Sequence, residues 1–286
     1  MTTIRAGDVL RALAGRWPVE AAYPGDVNGL VVGDETDEVA GVTVALQLQP
    51  AHVDGRDRTL YVSHEPCFAG APAGHRERAR TGTWRDGDRT LAARLQDSGS
   101  YLAYAHSPLD AGPDGAGELM ARALGLGEIR ATTSPYARLV EVTRPMTLEV
   151  LCRYLTTVFQ LDRVRWHGRP GGRPDGGLRS IGVIPGAGFG MLDLLDSLRR
   201  SGAEVVLSGD LSEARLGYLD GLGLAAVDVP ARCSERPMLE TVRRHLYDTL
   251  GVPVDLAAQA PLRIVQDSAG RSSGESGADG GEAVSH

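Results

Sequence analysis

The apolar positions alternate between short runs and helical spacing along most of the chain. Val9, Leu10, Leu13 and Trp17 recur at the spacing of a helix, and Pro18 ends that segment. Short β-branched or aliphatic runs predict strands at 42–46, 60–62, 101–105, 140–142, 181–184, 205–207 and 225–227. Helical spacing predicts helices at 90–96, 117–124, 148–159, 191–200 and 235–250. This alternation of strands and helices predicts an α/β fold.

The predicted elements fall into two stretches followed by a polar tail. We expect an N-terminal α/β lobe over residues 1–135 and a second α/β lobe over 136–265. Thr147 is expected to cap the helix that opens the second stretch. Residues 266–286 contain mostly Gly, Ser, Asp and Glu, so they cannot bury enough apolar surface to fold, and we predict a disordered tail.

Charge and composition exclude several classes of protein. The formal net charge is −7, which argues against a dedicated nucleic-acid-binding protein. The chain contains no lysine, which excludes Schiff-base enzymes and ordinary Walker A loops. The three cysteines form no CxxC, and the N-terminus does not resemble a signal peptide. No apolar run is long enough to span a membrane, so we expect a cytoplasmic protein.

Two histidines follow predicted strands, where open α/β sheets place their ligands. The first motif is Ser63, His64, Glu65 and Pro66, which is not an HExxH zinc helix because Pro66 would interrupt it. The second motif runs from His106 to Asp110. Imidazole and carboxylate groups are the usual ligands of divalent metals. Taken singly, the first motif is better explained by a capped turn with a surface histidine. In the second motif, Asp110 is also explained as a cap of the helix predicted around 115–124.

A third polar segment, residues 228–235, follows the strand predicted at 225–227, and Glu235 is expected to begin the last helix. An acidic residue there is also explained by the helix dipole. The glycine-rich segment 185–190 follows another strand and resembles a phosphate-binding turn. Its glycine spacing departs from the dinucleotide-binding fingerprint, so a tight strand-to-helix turn explains it at least as well.

Together, these motifs resemble the Ngg-interacting-factor-three proteins, also called GTP cyclohydrolase I type 2 homologues. The resemblance covers residues 4 to 250 and depends on the order of several short stretches, whose positions are 28–34, 44–46, 63–66, 105–110, 186–188, 208–210 and 234–235. It implies two similar α/β lobes with a cleft between them, a dinuclear metal site in that cleft, and a hexameric ring.

The resemblance also implies a set of metal ligands, with departures that make this chain a divergent member. His64, Asp110 and Glu235 match three family ligands, Glu65 replaces a second histidine, and Ala231 replaces a late histidine. We therefore expect His64, Glu65, Asp110 and Glu235 to bind Mn²⁺, Fe²⁺, Zn²⁺ or Mg²⁺. His106 is expected to act as a general base or to support the ligands.

Two functions follow from these motifs. The first is a metal-dependent hydrolase that acts on a small phosphate-bearing or heterocyclic molecule, and the second is a non-catalytic metal-binding or scaffold protein. A further hypothesis is that residues 231–235 are extended, which would place the thiol of Cys233 beside Glu235 as a substitute ligand. Cys67, which follows His64 and Glu65 closely in the chain, is a second candidate for this role. Burial as apolar thiols is the better explanation of both cysteines.

Overall fold

The computed structural model describes residues 4–169 and 177–258, which form α-helices and β-strands. The strands in chain order are β1 (Ile4–Arg5), β2 (Gly29–Val32), β3 (Glu38–Val39), β4 (Gly41–Gln47), β5 (Thr59–Glu65), β6 (Tyr101–Tyr104), β7 (Gly127–Ala131), β8 (Arg138–Met146), β9 (Arg165–His167), β10 (Leu178–Val183), β11 (Val205–Ser208), β12 (Ala225–Asp228) and β13 (Val254–Leu256). The α-helices are α1 (Ala6–Arg16), α2 (His75–Thr81), α3 (Arg89–Asp97), α4 (Ser107–Ala111), α5 (Ala116–Leu124), α6 (Leu148–Val158), α7 (Leu192–Arg200), α8 (Glu213–Leu222) and α9 (Ala231–Leu250).

The first large sheet has the strand order β13-β4-β5-β6-β2. Strands β13, β4, β5 and β6 are parallel, and β2 runs antiparallel to β6 at the edge. The register aligns the carboxyl ends of the inner strands, since Gln47 pairs with Glu65 and Ser63 pairs with Tyr104. The residues that follow β5 and β6 therefore meet at one edge of the sheet.

The second large sheet has the strand order β7-β8-β10-β11-β12-β9. Its three inner strands, β10, β11 and β12, are parallel, and the outer strands run antiparallel to their neighbours. The α/β fold predicted from the alternation of elements is confirmed.

Both sheets are covered by helices on both faces, which explains the nearly continuous apolar runs of the inner strands. Val62 packs with α1 and α9 on one face of the first sheet, and Tyr61 packs with α3 on the other. In the second sheet, Val205 packs with α5 and α6, and Val206 packs with α7 and α8.

The C-terminal part of the chain returns from the second sheet to the first. Helix α9 begins directly after β12 and packs on α1 and β4, and β13 then pairs with β4.

Strand β7, at 127–131, pairs with β8 in the second sheet. The division into lobes at residue 135 stays a prediction, and the predicted tail at 266–286 lies outside the described residues.

The predicted elements agree with the structure in their interiors and differ at their ends. Thr147 caps α6, as predicted, by accepting a hydrogen bond from the Val150 amide at 3.3 Å. The last helix begins at Ala231, so the prediction that Glu235 begins it is wrong. Strand β5 extends through Glu65, beyond the apolar run that predicted it. Helix α8 was not predicted, because its apolar residues do not concentrate on one face.

Candidate metal centre

His64 lies near the carboxyl end of β5 and is buried. Leu60, Val62 and His64 alternate with residues of the opposite face, so the imidazole points to the same side as the apolar core beneath α9. Its Nδ1 lies 3.0 Å from the carbonyl oxygen of Ala105. A carbonyl only accepts, so Nδ1 carries the proton and donates, and the lone pair is left on Nε2. One nitrogen of His64 is therefore available to a cation.

Glu235 is the polar end of the buried stripe of α9. Met238, Leu239 and Val242 follow it at helical spacing and pack on the first sheet, which places the Glu235 carboxylate above His64. Asp110 reaches the same point from the short helix α4, which follows β6. Glu235 is 2% exposed, so its carboxylate is removed from water.

His64, Asp110 and Glu235 form what we call the buried group. His64 Nε2 lies 3.5 Å from Asp110 Oδ1 and 3.6 Å from Glu235 Oε1. His64 Nε2, Asp110 Oδ1 and Glu235 Oε2 are all buried and have no hydrogen-bond partner in the described part of the chain. A buried polar atom without a partner costs about 1–3 kcal/mol, and more when it is charged. Three such acceptors around one point require a proton or a cation between them.

The ionisation of the buried group follows from this arrangement. Burial alone would lower the pKa of His64, but the carboxylates of Asp110 and Glu235 outweigh burial and raise the pKa to about 10. Burial raises the pKa of both Asp110 and Glu235, while the His64 charge opposes that rise. Without a cation, the buried group therefore retains protons at neutral pH, and a divalent cation would displace them.

His64, Glu65 and His106 form a second set of potential ligands, which we call the outer group. The rings of His64 and His106 lie edge to face with their centroids 5.1 Å apart. His106 Nε2 lies 3.7 Å from Glu65 Oε2, and both side chains are partly exposed. Burial lowers the pKa of His106, but the hydrogen bond to Asp26 and the charges of Glu65 and Asp110 together outweigh burial and raise the pKa.

The two groups share a single nitrogen. Because His64 Nδ1 is bonded to Ala105, only Nε2 can bind a metal, and it can bind one cation at a time. A second cation in the outer group would therefore need a carboxylate as the bridge. In the outer group, Glu65 has the carboxylate that can act as this bridge.

Asp26 orients His106 and was missed by the sequence analysis. Asp26 Oδ1 accepts hydrogen bonds from His106 Nδ1, at 2.9 Å, and from the Val27 amide. Asp26 Oδ2 accepts from the Asn28 side chain and from the amide and hydroxyl of Ser107. Burial alone would raise the pKa of Asp26, but the hydrogen bonds from His106 and Ser107 outweigh burial and hold the pKa well below its usual range.

Asn28 completes this support, because its Oδ1 accepts a hydrogen bond from the His106 amide at 2.8 Å. The only local signal in the sequence is a Pro-Gly turn followed by Asp26 and Asn28, which is typical of ordinary loops.

The position of Gly186 shows why a glycine occurs in the segment 185–190. Its φ is +63°, and a Cβ at this position would lie 2.2 Å from Glu235 Oε1. Its amide donates to Ser234 Oγ at 3.1 Å, which ties the loop to the first turn of α9. The loop lines the cleft and leaves room for the Glu235 carboxylate, so the structure gives this glycine a packing reason independent of phosphate binding.

Several residues considered in the sequence analysis lie outside both groups. Residues 231–235 are helical, so the hypothesis of an extended segment is wrong, and Cys233 packs against the core of the second sheet. Cys67 contacts the hydroxyl of Tyr104. Asp228 forms an ion pair with Arg165. Ala231 lies one helical turn before Glu235 on the same face but offers no ligand atom.

The sequence profile of the Duf34/NIF3 (NGG1p interacting factor 3) family matches residues 4–260, nearly the whole chain. The chain belongs to this family. Among its curated relatives, the GTP cyclohydrolase 1 type 2 homolog of Streptomyces coelicolor is 28% identical over 232 residues, covering 74% of this chain and 76% of that protein. The homolog of Clostridium acetobutylicum is 21% identical and covers 93% of this chain and 97% of that protein.

Solved structures share the fold of this Duf34/NIF3 member. A Bacillus cereus protein related to NIF3 superposes with a TM-score of 0.71 at 16% identity, covering 93% of this chain and all of that chain. In the part of the chain that the structure describes, no helix is long and apolar enough to cross a membrane.

Proposed function

We propose that this protein binds a divalent metal ion at the buried group and uses it to hydrolyse a small phosphate-bearing or heterocyclic molecule. The observation that carries this proposal is the convergence of three buried acceptor atoms without hydrogen-bond partners, at His64, Asp110 and Glu235. The name shared by the curated relatives, GTP cyclohydrolase 1 type 2 homolog, refers to the opening of a heterocycle and supports the reaction class.

The donor set fits a hard or borderline cation. The buried group offers one imidazole nitrogen and two carboxylates, which suits Mn²⁺, Fe²⁺ or Zn²⁺ and tolerates Mg²⁺. When bound, such a cation supplies a Lewis acid that polarises the substrate and acidifies water. Glu65 and His106 lie beside this position and can complete a second site.

His106 is the best-placed base in the described part of the chain. Asp26 holds its Nδ1–H, so the lone pair of Nε2 points towards Glu65 and the cleft. A neutral imidazole held in this tautomer accepts a proton at Nε2, and the Asp26 carboxylate stabilises the imidazolium that results. If His106 instead binds a second cation, the same hydrogen bond fixes the ring as a ligand.

A non-catalytic metal-binding or scaffold protein is the second candidate. Ala231 favours it, because the position one turn before Glu235 lacks the imidazole that the family resemblance implies. A centre with fewer nitrogen ligands can still bind metal, but Glu65 and His106 would then have to provide more of the catalytic groups. Under this alternative the protein would bind metal without turning over a substrate.

The first experiment is the metal content of the purified protein, followed by titration of the metal-free protein with Mn²⁺ and Zn²⁺. Glu235→Gln preserves the shape of the side chain but removes its charge, so we expect a loss of affinity of at least about tenfold, or ~1.4 kcal/mol. Glu240→Gln is the matched control, since Glu240 lies on the same helix but pairs with Arg243 on the surface. No bound metal and no uptake would refute the proposal.

Catalysis is tested separately, by screening the metal-loaded protein for hydrolysis of nucleotides and free heterocycles. Loss of turnover in His106→Gln with retained metal would support the hydrolase. Metal binding without turnover of any compound would favour the scaffold. The hexamer stays a prediction from family resemblance, and light scattering measures it directly.

A further inference from the structure

The candidate metal centre lies at the bottom of a cleft of about 360 Å³. One wall is the segment around Tyr23 and Asp26 together with α4, and the other wall contains residues 184–194 of the second sheet and its helix. This volume is in the range of sites that enclose a small organic molecule. The side chains of these walls therefore determine which class of molecule can enter.

Carboxyl groups outnumber basic side chains among the residues that line the cleft. Four carboxylates line it, namely those of Asp26, Glu65, Asp110 and Glu235. Among the described residues that line the cleft none is an arginine, and the chain contains no lysine. A single divalent cation would compensate only half of these carboxylates. A phosphate dianion would enter without a side-chain cation to bind it, although phosphate sites in proteins rely on such cations.

The apolar part of the cleft presents aromatic rings whose hydroxyls are already bonded. Tyr23 and Tyr136 lie edge to face with their centroids 5.4 Å apart. The Tyr23 hydroxyl donates to Asp193 at 2.7 Å, and the Tyr136 hydroxyl donates to the carbonyl of Ala21. Both rings are thus held in place from outside the cleft. Rings fixed in this way bind a flat apolar surface at a small entropic cost.

The wall contributed by the second sheet is also apolar. Ile184 and Leu194 are buried in the core of that sheet, and Met191 lies beside them at the start of α7. A methionine adapts its shape to a ring that packs against it. The cleft therefore combines apolar walls with an acidic, metal-binding floor.

We infer that the cleft binds an uncharged, planar heterocycle that lacks a phosphate group, with its ring against Tyr23 and Tyr136 and its polar edge towards the metal. The inference rests on the proposed function, and of the two substrate classes named there it selects the heterocyclic one. It assigns the tyrosines to binding and leaves the hydrolytic chemistry to the centre.

The test compares matched ligands that differ only in the phosphate group. The binding of adenosine, guanosine and uridine is measured against that of their 5′-monophosphates by calorimetry and ligand-observed NMR. Protein loaded with Mn²⁺ and protein treated with EDTA are both titrated. We expect at least one nucleoside to bind at least tenfold more tightly than its monophosphate to the EDTA-treated protein, and at least as tightly to the loaded protein.

Variants of Ala187 test the role of charge. Ala187 is an exposed residue at the cleft, so a longer side chain is accommodated there. Ala187→Arg supplies the missing cation and should improve monophosphate binding at least tenfold, while Ala187→Gln, of similar length but uncharged, should preserve the preference for the nucleoside.

Variants of Tyr136 test the role of the ring. Tyr136→Phe retains the ring and should bind nucleoside like the wild type, and Tyr136→Leu removes the ring and should bind at least fivefold more weakly. Circular dichroism establishes that each variant is folded. If Tyr136→Leu does not fold, the Ala187 variants and the comparison of nucleosides with their monophosphates carry the test.

The outcomes separate this inference from the proposed function. Tighter binding of a monophosphate than of its nucleoside by the loaded wild type would overturn the inference, as would the binding of no nucleoside at millimolar concentration. Either result would leave the metal site standing. Absence of metal binding with a retained preference for nucleosides would instead overturn the proposed function alone.

Discussion

Gly186 offers the sharpest test of the metal centre, because its substitution moves a ligand without removing it. In Gly186→Ala, the new Cβ would lie 2.2 Å from Glu235 Oε1, whereas real Cβ contacts essentially never fall under 3.0 Å. The carboxylate or the loop must therefore shift. Metal–oxygen bonds are about 2.0–2.2 Å long, so a shift of this size takes Oε1 out of the coordination sphere.

The same substitution also strains the backbone, and two other glycines separate the effects. A residue with a side chain at positive φ costs about 1–2 kcal/mol. Gly202 has a φ of +90° with no atom near its Cβ position, so Gly202→Ala reports the strain alone. Gly190 lies in the same loop as Gly186 without a positive φ or a close contact, so Gly190→Ala controls for the loop.

The assay is Mn²⁺ and Zn²⁺ affinity by calorimetry, together with the free energy of unfolding in urea for the metal-free proteins. We expect Gly186→Ala to lose at least tenfold in metal affinity, which is about 1.4 kcal/mol, and to be less stable than the wild type. Gly202→Ala should lose stability but not affinity, and Gly190→Ala should lose neither. Wild-type affinity in a folded Gly186→Ala protein would show that Glu235 Oε1 is not a metal ligand.

Four further predictions concern the Asp26 hydrogen bonds, the pH dependence of stability and the thiol of Cys233. Asp26→Asn should lower the pKa of His106 in an NMR titration, because the Asp26 carboxylate raises it, whereas Asp34→Asn on the surface should leave it unchanged. The depressed pKa of Asp26 contributes stability that is present above the ordinary aspartate value of 3.8 and is lost as the pH falls below it, so acid should destabilise wild type more than Asp26→Asn. In metal-free protein the raised pKa of His64 contributes stability that is fully present below about pH 6.5 and is lost as the pH rises through about 10, so Tm in EDTA should fall over this range. With saturating metal the fall should be smaller, and identical curves would contradict the site. Cys233→Ser should leave Zn²⁺ and Mn²⁺ affinities unchanged, because Cys233 belongs to neither ligand group, and a tenfold loss of Zn²⁺ binding alone would contradict this placement.

The local patterns of the sequence determined the interiors of most inner strands and long helices. The apolar runs of β4, β5 and β6 predict strands buried on both faces, and the spacing of Met238, Leu239 and Val242 predicts a helix with one buried stripe. Thr147 was identified as a cap because its hydroxyl acts on an amide only three residues away. These features depend on neighbours in the chain, so the sequence alone is sufficient to find them.

Family resemblance supplied the prediction that His64, Asp110 and Glu235 act together, and 171 residues separate the first from the last. Composition and spacing do not encode the proximity of these residues in space. His64 and Glu235 lie close together because α9 crosses from the second sheet to the first, where its buried stripe covers the face that contains His64. The sequence pattern predicts Glu235 at the start of the last helix, one turn too early, since Pro230 and Ala231 carry no strong start signal.

Only the tertiary structure decided which atoms are available for chemistry. The Ala105 carbonyl leaves His64 a single free nitrogen, Asp26 orients His106 across 80 residues of sequence, and Gly186 makes room for Glu235. A carbonyl and a loop aspartate occur throughout any chain, and the glycine-rich segment 185–190 resembles a phosphate-binding turn, so the sequence does not indicate these roles. Their roles arise from contacts between distant segments, and such contacts exist only once both sheets and the helix between them have packed.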